Sequence, residues 1–285
     1  MNALEVINLN KSYGLFGIKN VSFNVPLGAI MGFVGPNGAG KTTTIKSILN
    51  IIRYDSGEVN FFGKQKFDQA HEDIGVVSDS TLYEGEWRVK DVERAVRPFY
   101  RNWKQAQFDK MLYTFNIDKA KKVKELSRGM NVKLMIAVAL SHDAKLIVLD
   151  EPTSGLDPVA RDEICELLLD YVSDKKRSIL FSTHITTDLE KIADYITFIK
   201  DGCVVFSKNM KILQNDYTII KGNKTTINED DKRLILGFKN TRDGFDGIVE
   251  TKNIKNLPPS LDFSLASLDD IVVYLNRGNR NVQDS

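Results

Sequence analysis

The chain has 285 residues, 39 lysines and arginines against 38 aspartates and glutamates, and two cysteines. Near-balanced charge without a basic run gives no electrostatic footprint for nucleic acid and no direct hold on anionic lipid. Cys165 and Cys203 lie far apart, which excludes a disulfide framework or a cysteine metal cluster and makes buried free thiols the expectation. The N-terminus lacks a secretory signal, and no window approaches the roughly 20 apolar residues of a membrane span. The composition is therefore that of a cytosolic chain with one large or two modest domains.

Val6, Ile7 and Leu9, then Val21, Phe23 and Val25, have the β-branched, partly alternating character of short strands. Pro26, Leu27 and Gly28 punctuate the approach to the apolar run Ala29–Val34, which reads as a buried strand. Directly after it, Gly35-Pro36-Asn37-Gly38-Ala39-Gly40-Lys41-Thr42-Thr43 fills the template G-x-x-x-x-G-K-[ST]. An ordinary glycine-rich turn is the bland alternative, but strand and helix patterns flank this one in the order a phosphate loop requires. Its glycines let the backbone approach phosphate, and the start of the next helix favours an anion. Lys41 reaches the β/γ-phosphates and Thr42 offers a hydroxyl to Mg²⁺, so a nucleoside triphosphate is the expected ligand.

The helix from Thr42 to about Asn50 is followed by a turn at Asp55–Glu58 and a strand at Val59–Phe62. From about residue 80 to 140 the period becomes helical, which predicts an inserted helical layer. Val92, Ala95, Val96, Phe99, Tyr100 and Trp103 form one apolar stripe, and Phe108, Met111, Leu112 and Phe115 another; both read as core. Trp87, in the loop Thr81–Arg88, reads instead as a candidate partner contact.

Further along, Lys145-Leu-Ile-Val-Leu-Asp150-Glu151-Pro152 is a buried strand ending in two carboxylates. Asp150 can hold Mg²⁺, and Glu151 can orient or deprotonate the water that attacks the γ-phosphate. Asp-Glu-Pro could simply terminate a strand; beside a phosphate loop the pair makes hydrolysis the expectation. Beyond about residue 210 the signals weaken. Residues 221–285 carry ten basic and ten acidic side chains, with Pro258-Pro259 among short runs such as Leu234–Phe238, and predict a small α+β domain. Within it Ser267, three residues before Asp270, reads as the cap of a closing helix.

Several of these motifs, in their order, resemble the nucleotide-binding subunit of an ATP-binding cassette (ABC) transporter over roughly residues 1–210. Tyr13, in Lys11-Ser12-Tyr13-Gly14, matches the aromatic residue on which that family stacks adenine. Leu126-Ser127-Arg128-Gly129-Met130, 23 residues ahead of the strand-end Asp150 when counted from Ser127, stands where the family has Leu-Ser-Gly-Gly-Gln. Ser154-Gly155-Leu156-Asp157 matches the loop after the paired acids, and Ser182-Thr183-His184 ends the apolar strand Ser178–Phe181 as the switch histidine does.

The resemblance implies an α/β P-loop ATPase core (1–210) with the helical subdomain at about 80–140 and a C-terminal accessory domain (211–285). It further implies an ATP- and Mg²⁺-dependent homodimer in which Ser127 and Gly129 of one copy meet the γ-phosphate bound by the other. Asp157 would cross that interface, and His184 would contact the γ-phosphate. A separate transmembrane permease at the cytoplasmic face of the bacterial plasma membrane is the implied partner, with no nucleic acid and no membrane contact of the chain's own. The tail, with its Leu-Asp-Asp-Ile helix, is similar to that of ATPases serving ABC-2 type exporters of peptides, antibiotics and drugs.

Three positions depart from the family pattern, one of them Met130, which stands where the signature ends in glutamine. Arg128 replaces a glycine, either lying outside the site or adding a forked cation to the phosphate. By register Asp79, in Ile74-Gly75-Val76-Val77-Ser78-Asp79, replaces a glutamine that reaches Mg²⁺, and an acid near the metal is chemically reasonable. Two rival classes remain in view: a soluble cassette ATPase of translation, repair or cluster assembly, and a GTPase switch, whose Asn-Lys-x-Asp reader fails at the last position of Asn223-Lys224-Thr225-Thr226. Without the other motifs, His184 would read as a capping or surface residue, as His71 and His142 do.

Overall fold

The structure, a computed structural model, describes residues 1–223 and 226–277. Lys224 and Thr225 of the failed guanine reader, and 278–285 of the expected accessory domain, lie outside the described residues. The chain forms two compact units, Met1–Ser207 and Lys208–Ser285.

In the first unit β1 (Asn2–Ser12), β2 (Gly17–Pro26) and β4 (Ser56–Phe61) form an antiparallel sheet in the order β2-β1-β4. A six-stranded sheet runs β5 (Ile74–Val77), β6 (Leu146–Asp150), β7 (Ser178–Thr183), β3 (Ile30–Val34), β8 (Tyr195–Lys200), β9 (Cys203–Asn209). The strands from β5 to β8 in that order pair in parallel. Every residue of β3, β6 and β7 is buried, which is why their sequences are continuous apolar runs rather than alternating ones. Phe23 stacks on Phe33 at 5.1 Å between ring centroids and ties the two sheets into one core. Because β3, β6 and β7 are parallel neighbours, the phosphate loop, the paired acids and His184 all leave from the same sheet edge, where such sheets bind ligands.

The helix after the loop, α1, spans Lys41–Ile48, and the short α2 spans Phe67–Ala70. The helical layer consists of α3 (Val89–Val96), α4 (Gln105–Thr114) and α5 (Arg128–Ser141), packed around Val89, Val92, Phe108, Leu112 and Leu134. The second predicted stripe holds, with Phe108 and Leu112 buried and Met111 and Phe115 packed against them. The first holds only in part. Pro98 opens a separate 3₁₀ turn, Arg97–Phe99, because its ring cannot continue α3, and Phe99 is left 72% exposed. Trp87, at 41% exposure, stays in the loop before α3.

One further expectation is corrected. Cys165 is a buried free thiol, but Cys203 is exposed, because β9 is the end strand of its sheet. The reading of the other two histidines as capping or surface residues holds: His71 is a surface residue, and His142 is the C-cap of α5, buried and stacked on Tyr100 at 3.8 Å. Helices α6 (Pro158–Val172) and α7 (Thr186–Ile192) complete this unit.

The second unit carries α8 (Met210–Asp216) and α9 (Glu229–Leu234) beside an antiparallel sheet ordered β11 (Ile235–Asn240), β12 (Phe245–Glu250), β10 (Tyr217–Gly222), β13 (Asp262–Leu265). Its last described helix, α10 (Leu268–Arg277), starts at the predicted cap: Asp270 N donates to Ser267 Oγ, and Ser267 N to the Asp270 carboxylate, both at 3.0 Å.

Candidate active site

The loop between β3 and α1 folds tightly because two glycines permit it. A β-carbon on Gly35 would stand 2.4 Å from the Ile199 carbonyl oxygen, and Gly40 takes a left-handed φ of +108° with Ile18 packed against it. Lys41, 6% exposed, is thereby aimed back over the loop; its Nζ donates to the carbonyls of Gly35 (2.7 Å) and Pro36 (3.3 Å) and pairs with Glu151 at 3.2 Å.

At the end of β6, Asp150 is buried and accepts hydrogen bonds from Ser182 Oγ at 3.0 Å and from the Thr42 side chain. Burial raises its pKa above the ordinary carboxylate value; those two bonds pull it down, and the charges of Asp79 and Glu151 push it up again. Glu151 adopts a left-handed φ of +51° while its N–H bonds to the Ser182 carbonyl at 2.9 Å. Such backbone strain is of order 1–3 kcal/mol and persists where surrounding structure holds it. Here it turns the carboxylate away from the strand towards Lys41 and towards His184, whose Nδ1 lies 2.8 Å from Glu151 Oε2.

These groups share a cavity of about 390 Å³. Its wall brings together nine of the expected residues: Asn37, Gly38, Gly40, Lys41, Thr42, Thr43, Asp79, Glu151 and His184. Gly35, Pro36 and Ala39 form the back of the loop, and Asp150 stands behind Thr42. Tyr13, 53% exposed, is not on the wall; Phe16, in the same turn and bonded through its carbonyl to Tyr13 N at 2.7 Å, is. Sequence reasoning missed Phe16, although an aromatic three residues beyond Tyr13 in a tight turn was a signal, and it placed Ser154 in the loop after the paired acids without giving it a site role.

Ser127, Gly129 and Asp157 are also off the wall. Two of them have local work as helix caps: Ser127 Oγ accepts from Met130 N at 3.2 Å, and Asp157 Oδ1 accepts from Val159 N and Ala160 N at 3.0 Å. The Ala160 N–H in particular holds the Asp157 carboxyl below its ordinary pKa. Arg128 does line the cavity.

A phosphate-accepting loop, a buried lysine, and a strained carboxylate positioned against both lysine and histidine define a P-loop nucleoside triphosphatase. Among the described residues there is no cluster of three or more metal-ligating side chains, and Mg²⁺ in such sites needs none. It is held by one or two carboxylates with the substrate's phosphates, and the Thr42 hydroxyl beside the buried Asp150 carboxyl fits that donor set.

A family profile described as ABC transporter matches residues 18–154. The lantibiotic transport ATP-binding protein SrtF of Streptococcus pyogenes is 32% identical over 224 residues, covering 72% of this chain and 90% of that one. A solved ATP-binding subunit of an ABC transporter superposes with a TM-score of 0.65 at 26% identity, over 74% of this chain and 92% of its own. At 23% identity, the dimeric cassette MJ0796, bound to ADP and Pi, shares the fold with a TM-score of 0.64 over 73% of this chain and 98% of its own. The chain belongs to the ABC transporter family, as an ATP-binding subunit that hydrolyses ATP. No helix among the described residues is long and apolar enough to cross a membrane.

Proposed function

We propose that two copies of this chain close around two Mg·ATP molecules and drive export through a separate transmembrane permease at the cytoplasmic face of the bacterial membrane. The observation that carries the reading is the division of the expected residues: Lys41, Thr42, Glu151 and His184 face the chain's own cavity, whereas Ser127, Gly129 and Asp157 do not. A residue set split in this way is complete only when a second copy supplies the other half. Export is supported by the similarity to a lantibiotic transport ATPase, and amphipathic peptides or antibiotics are the substrate class that this suggests.

In each site the loop amides and Lys41 hold the triphosphate, Tyr13 with the neighbouring Phe16 carries adenine, and Thr42, Asp150 and Asp79 hold Mg²⁺. Held by those three residues, Mg²⁺ would supply charge neutralisation to the triphosphate. Glu151 takes a proton from the water that attacks the γ-phosphorus in line, the bond to the ADP oxygen breaks, and His184 steadies Glu151 and the departing phosphate. The second unit, with 211–285, is an accessory domain of this subunit.

The test uses two differently tagged copies, both Glu151→Gln. Co-purification of the tags only with Mg·ATP, and recovery of a multi-span membrane protein from membrane extracts, is the expected result. Tags that never co-purify, or a ribosomal or soluble assembly partner in place of the permease, would overturn the reading.

A further inference from the structure

The side chain that departs most from the family pattern, Arg128, points into the cavity of its own chain. Arg128 is the first residue of α5, and directly before it Ser127 is off the wall. A methyl group on Gly155 would stand 3.2 Å from Arg128 Nη1, 3.4 Å from Cζ and 3.5 Å from Nε, so the guanidinium lies with its face against that glycine. Gly155 has a φ of +71°, and the absence of a side chain there leaves the space the guanidinium fills. The same loop is tied to the reaction centre, because Ser154 N donates to the Glu151 carbonyl at 3.2 Å and Ser154 also lines the cavity. Arg128 has no ion-pair partner among the described residues, while Lys41, the other fixed cation on the wall, is already paired with Glu151.

We propose that Arg128 is a phosphate-contacting residue of the site built by its own chain, held there by Gly155. This rests on the dimer reading above and adds to it. Two consecutive residues then serve two different nucleotides, Ser127 the partner's and Arg128 its own, so the start of α5 links the two sites. A forked guanidinium meets the γ-phosphate oxygens, which ATP has and ADP lacks, so Arg128 favours ATP over ADP.

The test separates the two chains of a heterodimer, both carrying Glu151→Gln and one carrying Lys41→Ala, so that one competent site remains. Arg128→Gln placed in the chain that keeps Lys41 is expected to weaken ATP binding about tenfold, the size of one lost charge-assisted hydrogen bond, with ADP affinity nearly unchanged. Placed in the Lys41→Ala chain, the same substitution leaves ATP affinity unchanged. Arg128→Lys, which keeps the charge but not the fork, retains part of the ATP preference. The opposite pattern, or equal ATP and ADP affinities lost from either position, overturns the proposal. Should ATP assemble no dimer, the dimer reading fails by itself. The contact is then read on the single chain, where an unchanged ATP-over-ADP ratio in Arg128→Gln overturns it.

Discussion

Replacing Glu151 with glutamine separates binding from chemistry in this site. The substitution keeps shape, the backbone at φ +51°, and an oxygen that can accept from His184, while it removes one negative charge 3.2 Å from Lys41 Nζ. At an effective dielectric of about 20, two unit charges at that 3.2 Å separation attract by about 5 kcal/mol. Much of this is offset, because Lys41 still donates to the Gly35 and Pro36 carbonyls. The empty variant is therefore expected to lose about 2 kcal/mol of stability, less than the cost of an orphaned buried charge. ATP must draw Lys41 away from Glu151, so loss of that competitor tightens ATP binding by up to about tenfold, or about 1.4 kcal/mol.

Turnover moves the other way. A general base contributes about 10²–10⁴ in rate, which is about 2.7–5.4 kcal/mol of barrier, and glutamine cannot take the proton. Steady-state phosphate release measures the loss, equilibrium titration with a fluorescent ATP analogue measures the gain, and thermal melts with and without Mg·ATP measure the stability change. A variant that hydrolyses ATP at the parent rate, or one that no longer binds it, refutes the argument.

Three further outcomes are expected. Ser127→Asp keeps an acceptor for the Met130 N–H, so the chain should melt within about 1 kcal/mol of the parent, yet the added charge should abolish ATP-induced dimers in light scattering. Arg161→Ala strands the buried Asp188, whose Oδ1 lies 2.6 Å from Arg161 Nη2, and should cost about 3 kcal/mol in urea unfolding, much of it recovered by pairing Arg161→Met with Asp188→Leu. Burial lowers the pKa of His142 from its ordinary 6.5, so the unfolded chain takes up a proton where the folded one resists. Stability from this group is full above about pH 6.5 and falls as pH drops below it; melting curves from about pH 7.5 to 5.5 should slope less in His142→Phe.

Much of the site was legible in the sequence because its chemistry is local in the chain. A phosphate loop must be a short glycine-rich turn between strand and helix, so residues 35–43 announce it, and a buried strand ending in two acids declares Asp150 and Glu151 with equal clarity. Periodicity found the helical layer but overran at Pro98, since a stripe of apolar residues does not record where the backbone changes direction. Burial of the two thiols also went beyond what the sequence holds: whether Cys203 is covered depends on which strand ends the sheet, a property of strand order.

By itself, then, the amino-acid order pointed to the nucleotide and its hydrolysis and named the candidate residues. Only the tertiary structure decided which of them meet. Parallel pairing of β3, β7 and β6 brings Glu151 within hydrogen-bonding reach of both His184 and Lys41, although Lys41 stands more than a hundred residues before either. It also turns Arg128 into the cavity and leaves Ser127 outside it, because the direction of neighbouring side chains at a helix start is set by what packs against them, here the bare backbone of Gly155.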